Sequence, residues 1–347
     1  MKNKGVMKKM TGLALSVIMA AGLLGGCGSV SASDENTAAA SGGSSTSVSA
    51  SGASGGTSGS NGVSGSASSA GSESSGQNAS DAGKTQDSGT AGGVLKVGME
   101  CAYAPFNWTQ ETDAVANGET AVPISGTNYY AYGYDVMMAK KIADQLGMSV
   151  EIHKVEWDSI GMGLDSGNYD CIIAGMGKTA EREKAYAFTS PYYYRDISIT
   201  VKKGGKFDGI TKLSDFKGKN AKVTTQLGTA WVDLIDQIPD VQAAANYETT
   251  AECFMAVENG AADACVIDLP TSESAIATNP DLTILSLDEN DTIKDPTGST
   301  NVCIATRLKD TALRDKIQGA MDALGWSDKS KMDEMMNEAI KLQPAAN

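Results

Sequence analysis

Few side chains in this 347-residue chain combine the type and the setting that chemistry needs. Arg182 falls about three residues into a helix predicted to start after Thr179, where a cation opposes the helix dipole by about 0.3–1 kcal/mol. Something anionic should compensate it, either a carboxylate ligand held bidentately by the guanidinium or an ion pair with Glu181 or Glu183. Asp268 closes the apolar run 263–267 just ahead of Pro270. That places an acid at a strand end opening onto a cleft, or else in a solvated turn. Thr229 follows Gly228 at the predicted start of a further helix, where its N–H and hydroxyl suit an anion or cap the helix. His153 is the only histidine. Mechanisms needing two imidazoles and histidine-based zinc sites are therefore nearly removed, and a Ser-His-Asp system is open only through His153, whose position in or just after a strand marks it as structural. No complete Walker-type phosphate loop is present. Five cysteines, Cys101, Cys171, Cys253, Cys265 and Cys303, form no C-x-x-C pair and cannot all pair within one chain. Three of them lie inside apolar strands, so buried free thiols are expected.

The elements that must position these residues follow from periodicity. Residues 94–99 alternate as a half-buried strand, and 134–146 carry Val136, Ala139, Ala143 and Leu146 on one helical face with Gly147 as the stop. A strand at 148–153, a short helix at 157–164 and a continuously apolar strand at 169–174 complete a βαβαβα alternation. That pattern predicts an α/β domain with its ligand at the carboxyl ends of parallel strands. A second unit opens with a strand at 197–201, followed by one at 221–224, the helix beginning at Gly228, a helix at 251–259 stopped by Gly260, and strands at 263–267 and 282–285. A strand at 301–306 can rejoin the first unit, and amphipathic helices near 310–324 and 329–341 close the chain.

The remaining sequence is of a different kind. Lys2, Lys4, Lys8 and Lys9 precede an apolar run at 13–24 that is too short to span a bilayer and suits a secretory signal. Of the 66 residues from 28 to 93, 21 are Ser, 15 Gly and 11 Ala, with no aromatic. Such a composition buries too little apolar surface to offset chain entropy, so a flexible tether with a mean reach of about 45 Å is expected. Whole-chain charge is −14, from 28 Lys and Arg against 42 Asp and Glu. Removing residues 1–26 would take it to −18, a balance that argues against nucleic acid as partner.

Two resemblances give these features a context. Leu24-Gly25-Gly26-Cys27 resembles the lipobox of bacterial lipoproteins, which implies cleavage before Cys27 and its lipidation; the alternative is an ordinary signal peptide with an incidental cysteine. The folded part resembles bacterial extracellular solute-binding proteins of the amino-acid class, family 3. The motifs are Leu95-Lys96-Val97-Gly98, Tyr103-Ala104-Pro105-Phe106, Gly133-Tyr134-Asp135, Trp157-Asp158 and Ser166-Gly167-Asn168-Tyr169-Asp170. In register after them come Gly175-Met176-Gly177-Lys178-Thr179-Ala180-Glu181-Arg182, Phe188-Thr189-Ser190-Pro191-Tyr192, Gln226-Leu227-Gly228-Thr229 and Asp263-Ala264-Cys265-Val266-Ile267-Asp268.

The resemblance implies a two-lobed periplasmic-binding-protein-like α/β fold (type II), its lobes joined by two hinge strands. The large lobe would hold 94–195 plus 299–343 and the small lobe 196–298, after a signal peptide at 1–26 and a lipidated tether at 27–93. It further implies that Arg182 and Thr229 receive the ligand carboxylate, that Asp268 takes its ammonium group, and that Tyr103 and Trp157 sandwich its side chain unless they are plain core. Glu100 would select that side chain, favouring polar or cationic over acidic ones. Gly175 and Gly177 stand where many relatives carry Ser or Thr, so backbone contacts replace hydroxyl ones. Segment 107–131 is longer than usual, and Tyr129, Tyr130 and Tyr132 can roof the cleft or belong to a surface loop.

Three functions fit. The first is a lipid-anchored, monomeric receptor outside the cell membrane that hands an amino acid to an ABC permease and ATPase on separate chains, with no cofactor or metal. The second is a cyclohexadienyl-dehydratase-like enzyme using Glu100 as general acid, and the third a ligand-sensing module.

Overall fold

The computed structural model describes residues 92–344. The predicted leader, Cys27 and all but the last two residues of the predicted tether lie outside the described residues. Two five-stranded sheets organise the chain. The first runs in the order Ser149–Lys154, Val94–Met99, Cys171–Ile172, Val302–Arg307, Tyr186–Tyr193. Its first three strands are parallel, and Val302–Arg307 pairs antiparallel with both of its neighbours. The second sheet runs Gln242–Ala243, Lys222–Thr224, Ala264–Asp268, Ile197–Lys202, Leu282–Ile284 and is likewise parallel on one side and antiparallel on the other. The chain therefore leaves the first sheet after Tyr193, builds the second, and returns before Val302. Fold class and two-lobed architecture agree with expectation.

Among the described residues six α-helices pack on these sheets: α1 (Tyr134–Leu146), α2 (Ile160–Asp165), α3 (Thr250–Asn259), α4 (Leu269–Thr278), α5 (Thr311–Ala323) and α6 (Lys329–Leu342). Helix α1 buries Val136, Ala139, Ile142 and Ala143 and ends at Gly147, whose backbone N–H donates to the Ala143 and Asp144 carbonyls. Residues 94–99 form the strand that alternation predicts, with Leu95 and Val97 fully buried. No helix among the described residues is long and apolar enough to cross a membrane. All five described cysteines are buried and free.

Several expectations are corrected. Of the strand predicted at 169–174, only Cys171–Ile172 forms a strand, because Ala174 and Gly175 turn toward the cleft. The helix predicted from Gly228 is a turn followed by a 3-10 helix at Val232–Gln237, and Arg182 lies in a single 3-10 turn, Arg182–Lys184. Helix α4 is absent from the sequence prediction because Pro270 reads as a strand terminator. Proline is equally at home in the first turn of a helix, and Asp268 caps this one by accepting the Thr271 N–H. The long segment before α1 folds into a four-stranded antiparallel sheet, Ala102–Tyr103, Asn107–Gln110, Tyr130–Tyr132, Val122–Pro123. Tyr132 does not roof the cleft: it is fully buried, edge-on to Trp108 at 5.8 Å, and its hydroxyl donates to Glu119. Tyr129 is exposed.

Helix α3 begins with a capping box in which Thr249 Oγ1 accepts the Glu252 N–H and Glu252 Oε2 accepts the Thr249 N–H. Thr249→Ala should lower stability by about 1 kcal/mol, a Tm drop of about 2–4 °C, read by thermal melting; an unchanged Tm would show that the cap contributes nothing.

Candidate functional site

Parallel strands bring their carboxyl ends to one place, the general location of ligands in α/β sheets. Glu100 follows strand Val94–Met99, Trp157 follows Ser149–Lys154, and Gly175 follows Cys171–Ile172. From the second sheet, Gln226 follows Lys222–Thr224 and Asp268 ends Ala264–Asp268. Glu100, Tyr103, Trp157, Gly175, Gly177, Arg182 and Thr229 share one cavity with Arg195, Gln226 and Trp231. All eight residues predicted for the site are thus assembled there, Asp268 through its contacts to Tyr103 and Arg195. The enclosed space is about 10 Å³, roughly one water's worth. Trp157 and Arg182 also wall a larger neighbouring cavity of about 400 Å³, lined by Ile160, Met176, Tyr186 and Leu227.

Arg182 spans the cleft. Its Nη1 donates to the Gly177 carbonyl at 2.8 Å, its Nη2 donates across to the Gly228 carbonyl at 2.9 Å, and its guanidinium lies 5.1 Å from the Trp157 ring centroid. Of the acids offered by the alternative reading, Glu183 pairs with Lys178 instead, and Glu181 has only a minor effect on the Arg182 charge. Burial, followed by the nearby Arg195 charge, lowers the Arg182 pKa to about 10. Thr229 does not cap a helix, since its hydroxyl donates to the Gln226 carbonyl at 2.7 Å. Asp268 is fully buried, which rules out the solvated turn.

Sequence reasoning missed Arg195, Gln226 and Trp231 as site residues. Arg195 sits where the chain first passes between the sheets, and its side chain is only 3% exposed. Nη2 donates to the Gly175 carbonyl at 2.7 Å and to the Tyr103 hydroxyl at 2.9 Å, and Nη1 donates to the Thr300 carbonyl at 3.2 Å. Its guanidinium lies over Phe106 at 4.8 Å and Trp231 at 5.3 Å. Burial works against that charge, yet Tyr103 and Asp268 outweigh it and hold the group above its ordinary pKa. The available signal was an arginine two residues ahead of the strand predicted at 197–201, at the expected lobe boundary. Gln226 was visible inside a quoted motif; its amide donates to Glu100 Oε1 at 3.0 Å.

Glu100 is 5% exposed. Burial pushes its carboxyl up to about 8, against the smaller opposing effect of the Gln226 hydrogen bond. At neutral pH it is protonated, so it offers a hydrogen-bond donor rather than a fixed negative charge. Tyr103 stacks on Phe106 at 5.0 Å while its hydroxyl donates to Asp268 Oδ2, so it is both core and cleft wall. Crowding by side chains at Gly175 and by backbone at Gly177 accounts for both glycines. Gly175 has φ +61°, and a Cβ there would lie 2.5 Å from Tyr103 Cε1 and 2.8 Å from Arg195 Nη2; a Cβ on Gly177 would lie 2.3 Å from the Ser299 carbonyl oxygen. His153 stands apart, with Nε2 2.8 Å from Glu151. No group of three or more His, Cys, Asp or Glu side chains among the described residues is arranged to hold a metal ion.

Comparison with known proteins gives the family and the fold. Residues 95–338 match the family described as bacterial extracellular solute-binding proteins, family 3. The chain is 29% identical over 201 residues to ABC transporter arginine-binding protein 1 of Escherichia coli (strain K12), covering 57% of this chain and 78% of that protein. It is 28% identical over 176 residues to the L-cystine-binding protein of the same organism, covering 51% and 59% respectively. Among solved structures, an arginine-bound amino acid ABC transporter substrate-binding protein from Streptococcus pneumoniae shares the fold, with TM-score 0.59 at 24% identity over 73% of this chain and 96% of that one. An ancestral amino-acid-binding protein, a precursor of cyclohexadienyl dehydratase, matches with TM-score 0.54 at 28% identity, covering 72% and 94%.

Because the folded Glu100 holds a proton between its unfolded value of 4.5 and about 8, unfolding releases that proton and stability falls as pH rises through this window. Glu100→Gln cannot titrate. Its Tm relative to wild type should be higher at pH 9 than at pH 5; a pH-independent difference would refute the buried protonated carboxyl.

Proposed function

The chain belongs to the bacterial extracellular solute-binding proteins, family 3, and on that premise we propose that it is an extracytoplasmic receptor that captures an L-amino acid with a polar or cationic side chain and delivers it to an ABC importer. Lipidation at Cys27 anchors it to the outer face of the cell membrane, and the segment at 28–93 tethers the binding domain, which acts as a monomer. Permease and ATPase are separate chains. The observation that carries this reading is the buried cleft between the two sheets, where Arg182, Thr229, Asp268, Glu100, Tyr103 and Trp157 meet around the carboxyl ends of the strands. Capture proceeds by hinge closure. A space of about 10 Å³ admits no amino acid, so the lobes must part at their two crossings for ligand to enter and leave. Polar bridges between them include Gln226 to Glu100, Arg182 and Trp157 to Gly228, Tyr103 and Arg195 to Asp268, and Ser274 to Gln343. A ligand carboxylate competes for the Arg182 donors, and Glu100 with Gln226 hydrogen-bonds the side chain. The curated relatives named above, which bind arginine and cystine by name, support this class of ligand.

A second reading has one observation behind it. Glu100 is a buried carboxylic acid that is protonated at neutral pH, the state a general acid needs, and a precursor of cyclohexadienyl dehydratase shares the fold. Arogenate or prephenate would then be the substrate.

The full chain should be melted against the twenty amino acids plus ornithine, citrulline and cystine. A ligand at a hundredfold excess over its Kd adds about 2.7 kcal/mol, a shift of several degrees, and Arg182→Ala should abolish it. A flat panel together with phenylalanine from arogenate or phenylpyruvate from prephenate would replace the receptor with the enzyme. Titration with L-arginine should show a pH dependence that L-glutamine lacks. A cationic side chain beside Glu100 favours the ionised carboxylate, so binding expels the proton. The L-arginine Kd should fall as pH rises from 6, by about tenfold per unit at most, and level off above 8. Equal pH profiles for both ligands would remove Glu100 from side-chain recognition.

A further inference from the structure

The space enclosed in the cleft and the cavity beside it differ by more than an order of magnitude, about 10 Å³ against about 400 Å³. The larger volume falls in the range of small-molecule sites, and capture of an ordinary amino acid makes no use of it. Both lobes wall it: Trp157, Ile160 and Tyr186 come from the first, Leu227 and Glu248 from the second. Two features join it to the end of the cleft where the ligand side chain is read. One amide nitrogen of Gln226 donates to Glu100 Oε1 at 3.0 Å and to the Glu248 carbonyl at 2.9 Å, and Glu248 lines the outer cavity. Trp157, whose ring would carry the ligand side chain, is a wall of both spaces. Its indole is a light partition, because Nε1 reaches the Gly228 carbonyl only at 3.4 Å, longer than an ordinary N–H···O bond. Ile160, Met176 and Leu227 give the outer cavity apolar flanks, and its charged lining is Glu156, Asp158 and Glu248 against Arg182 alone. Flanks of that kind suit an aliphatic chain, and three acids against one cation suit a positive end on it.

We propose that the outer cavity is a second subsite that receives a substituent on the end of the ligand side chain. The ligand class then includes amino acids whose side-chain nitrogen carries a further chain ending in a cation. This rests on the receptor reading above and names its substrate more closely. The α-carboxylate stays at Arg182 and Thr229, and the α-ammonium group at Asp268. The side chain lies along Trp157, and its nitrogen meets Glu100 and Gln226. The substituent passes the indole edge, lies against Ile160 and Leu227, and brings its charge toward Glu156 and Glu248. An unsubstituted side chain ends at Gln226 and leaves the outer cavity to water.

The test is isothermal titration of the full chain with three matched pairs, each an amino acid and its extended derivative. They are L-lysine and Nε-glycyl-L-lysine, L-glutamine and its side-chain N-(2-aminoethyl) amide, and L-arginine and its Nω-(2-aminoethyl) derivative. In a pair that binds, the extended member should match its parent or bind up to about tenfold tighter; binding of an extended member alone also supports the subsite. Leu227 is half exposed and lines the outer cavity but not the inner one. Leu227→Trp should therefore fill the outer cavity and weaken the extended member by about tenfold or more relative to its parent. Glu156→Gln combined with Glu248→Gln should weaken the extended member by about threefold to tenfold relative to its parent. A merely structural role for these residues would change both members equally. Extended members that bind more than about a hundredfold more weakly than their parents, or equal losses for both members in either variant, would overturn the proposal and leave the receptor intact. No binding of any of these compounds overturns the proposal, and the receptor reading falls with it only if the amino-acid panel is also flat.

Discussion

A single buried positive charge holds the two halves of this molecule in register. Taking a guanidinium out of water is costly unless charge and hydrogen bonds replace the lost hydration, and Arg195 finds those replacements on both lobes. Gly175 and Tyr103 come from the first sheet and its adjoining small sheet, Asp268 from the second, and Thr300 from the returning crossing. Each partner is fixed by the strand end that carries it, so the charge is satisfied only when the sheets stand in their observed relation. Gly175 shows how closely this is packed, since a Cβ there would strike both Tyr103 and Arg195.

Behind that charge lies a rigid polar network. Asp135, in the first turn of α1, accepts from the Tyr192 hydroxyl at 2.6 Å and from the Asn107 amide at 2.7 Å, while the Gly175 N–H donates to Tyr192. Burial raises the Asp135 pKa to about 6, despite the Tyr192 and Asn107 hydrogen bonds that lower it. The Tyr134 hydroxyl and the Trp326 indole both donate to the Tyr192 carbonyl. Hydrogen-bonded networks of this kind stiffen a core, and here Asn107 Oδ1 alone among the named side-chain atoms lacks a partner. Here the stiff body is the first lobe, and polar contacts and the Arg195–Asp268 ion pair close the cleft on its other side.

The cleft's electrostatics follow from the same burial. Glu100 and Arg182 are both pushed toward their neutral forms by desolvation, Glu100 upward and Arg182 downward. Arg195 resists because acids and a tyrosine surround it. The result is a small space in which one carboxyl acts as a donor, one arginine is poised for an anion, and the remaining acid is engaged. Selectivity in such a site comes from which of these groups a ligand leaves unpaired.

Local patterns in the sequence determined most of the architecture. Helix α1 spans 134–146 as its apolar spacing and Gly147 require, and α3, α5 and α6 lie within a residue or two of expectation, because a 3.6-residue period and terminal glycines act over a few residues only. The strands preceding Glu100 and Asp268 were legible for the same reason. Less so were the 102–132 sheet, whose strands of two to four residues are too short to show alternation, and α4, where the Asp268-Leu269-Pro270 start signal competes with a strand end. The resemblance named eight residues of the site, but their states were decided by tertiary structure alone. Arg195 meets Tyr103 across 92 residues of chain, and Gln226 meets Glu100 across 126. Periodicity carries no information over such distances, whereas burial and charge pairing act only once the chain has brought those groups together.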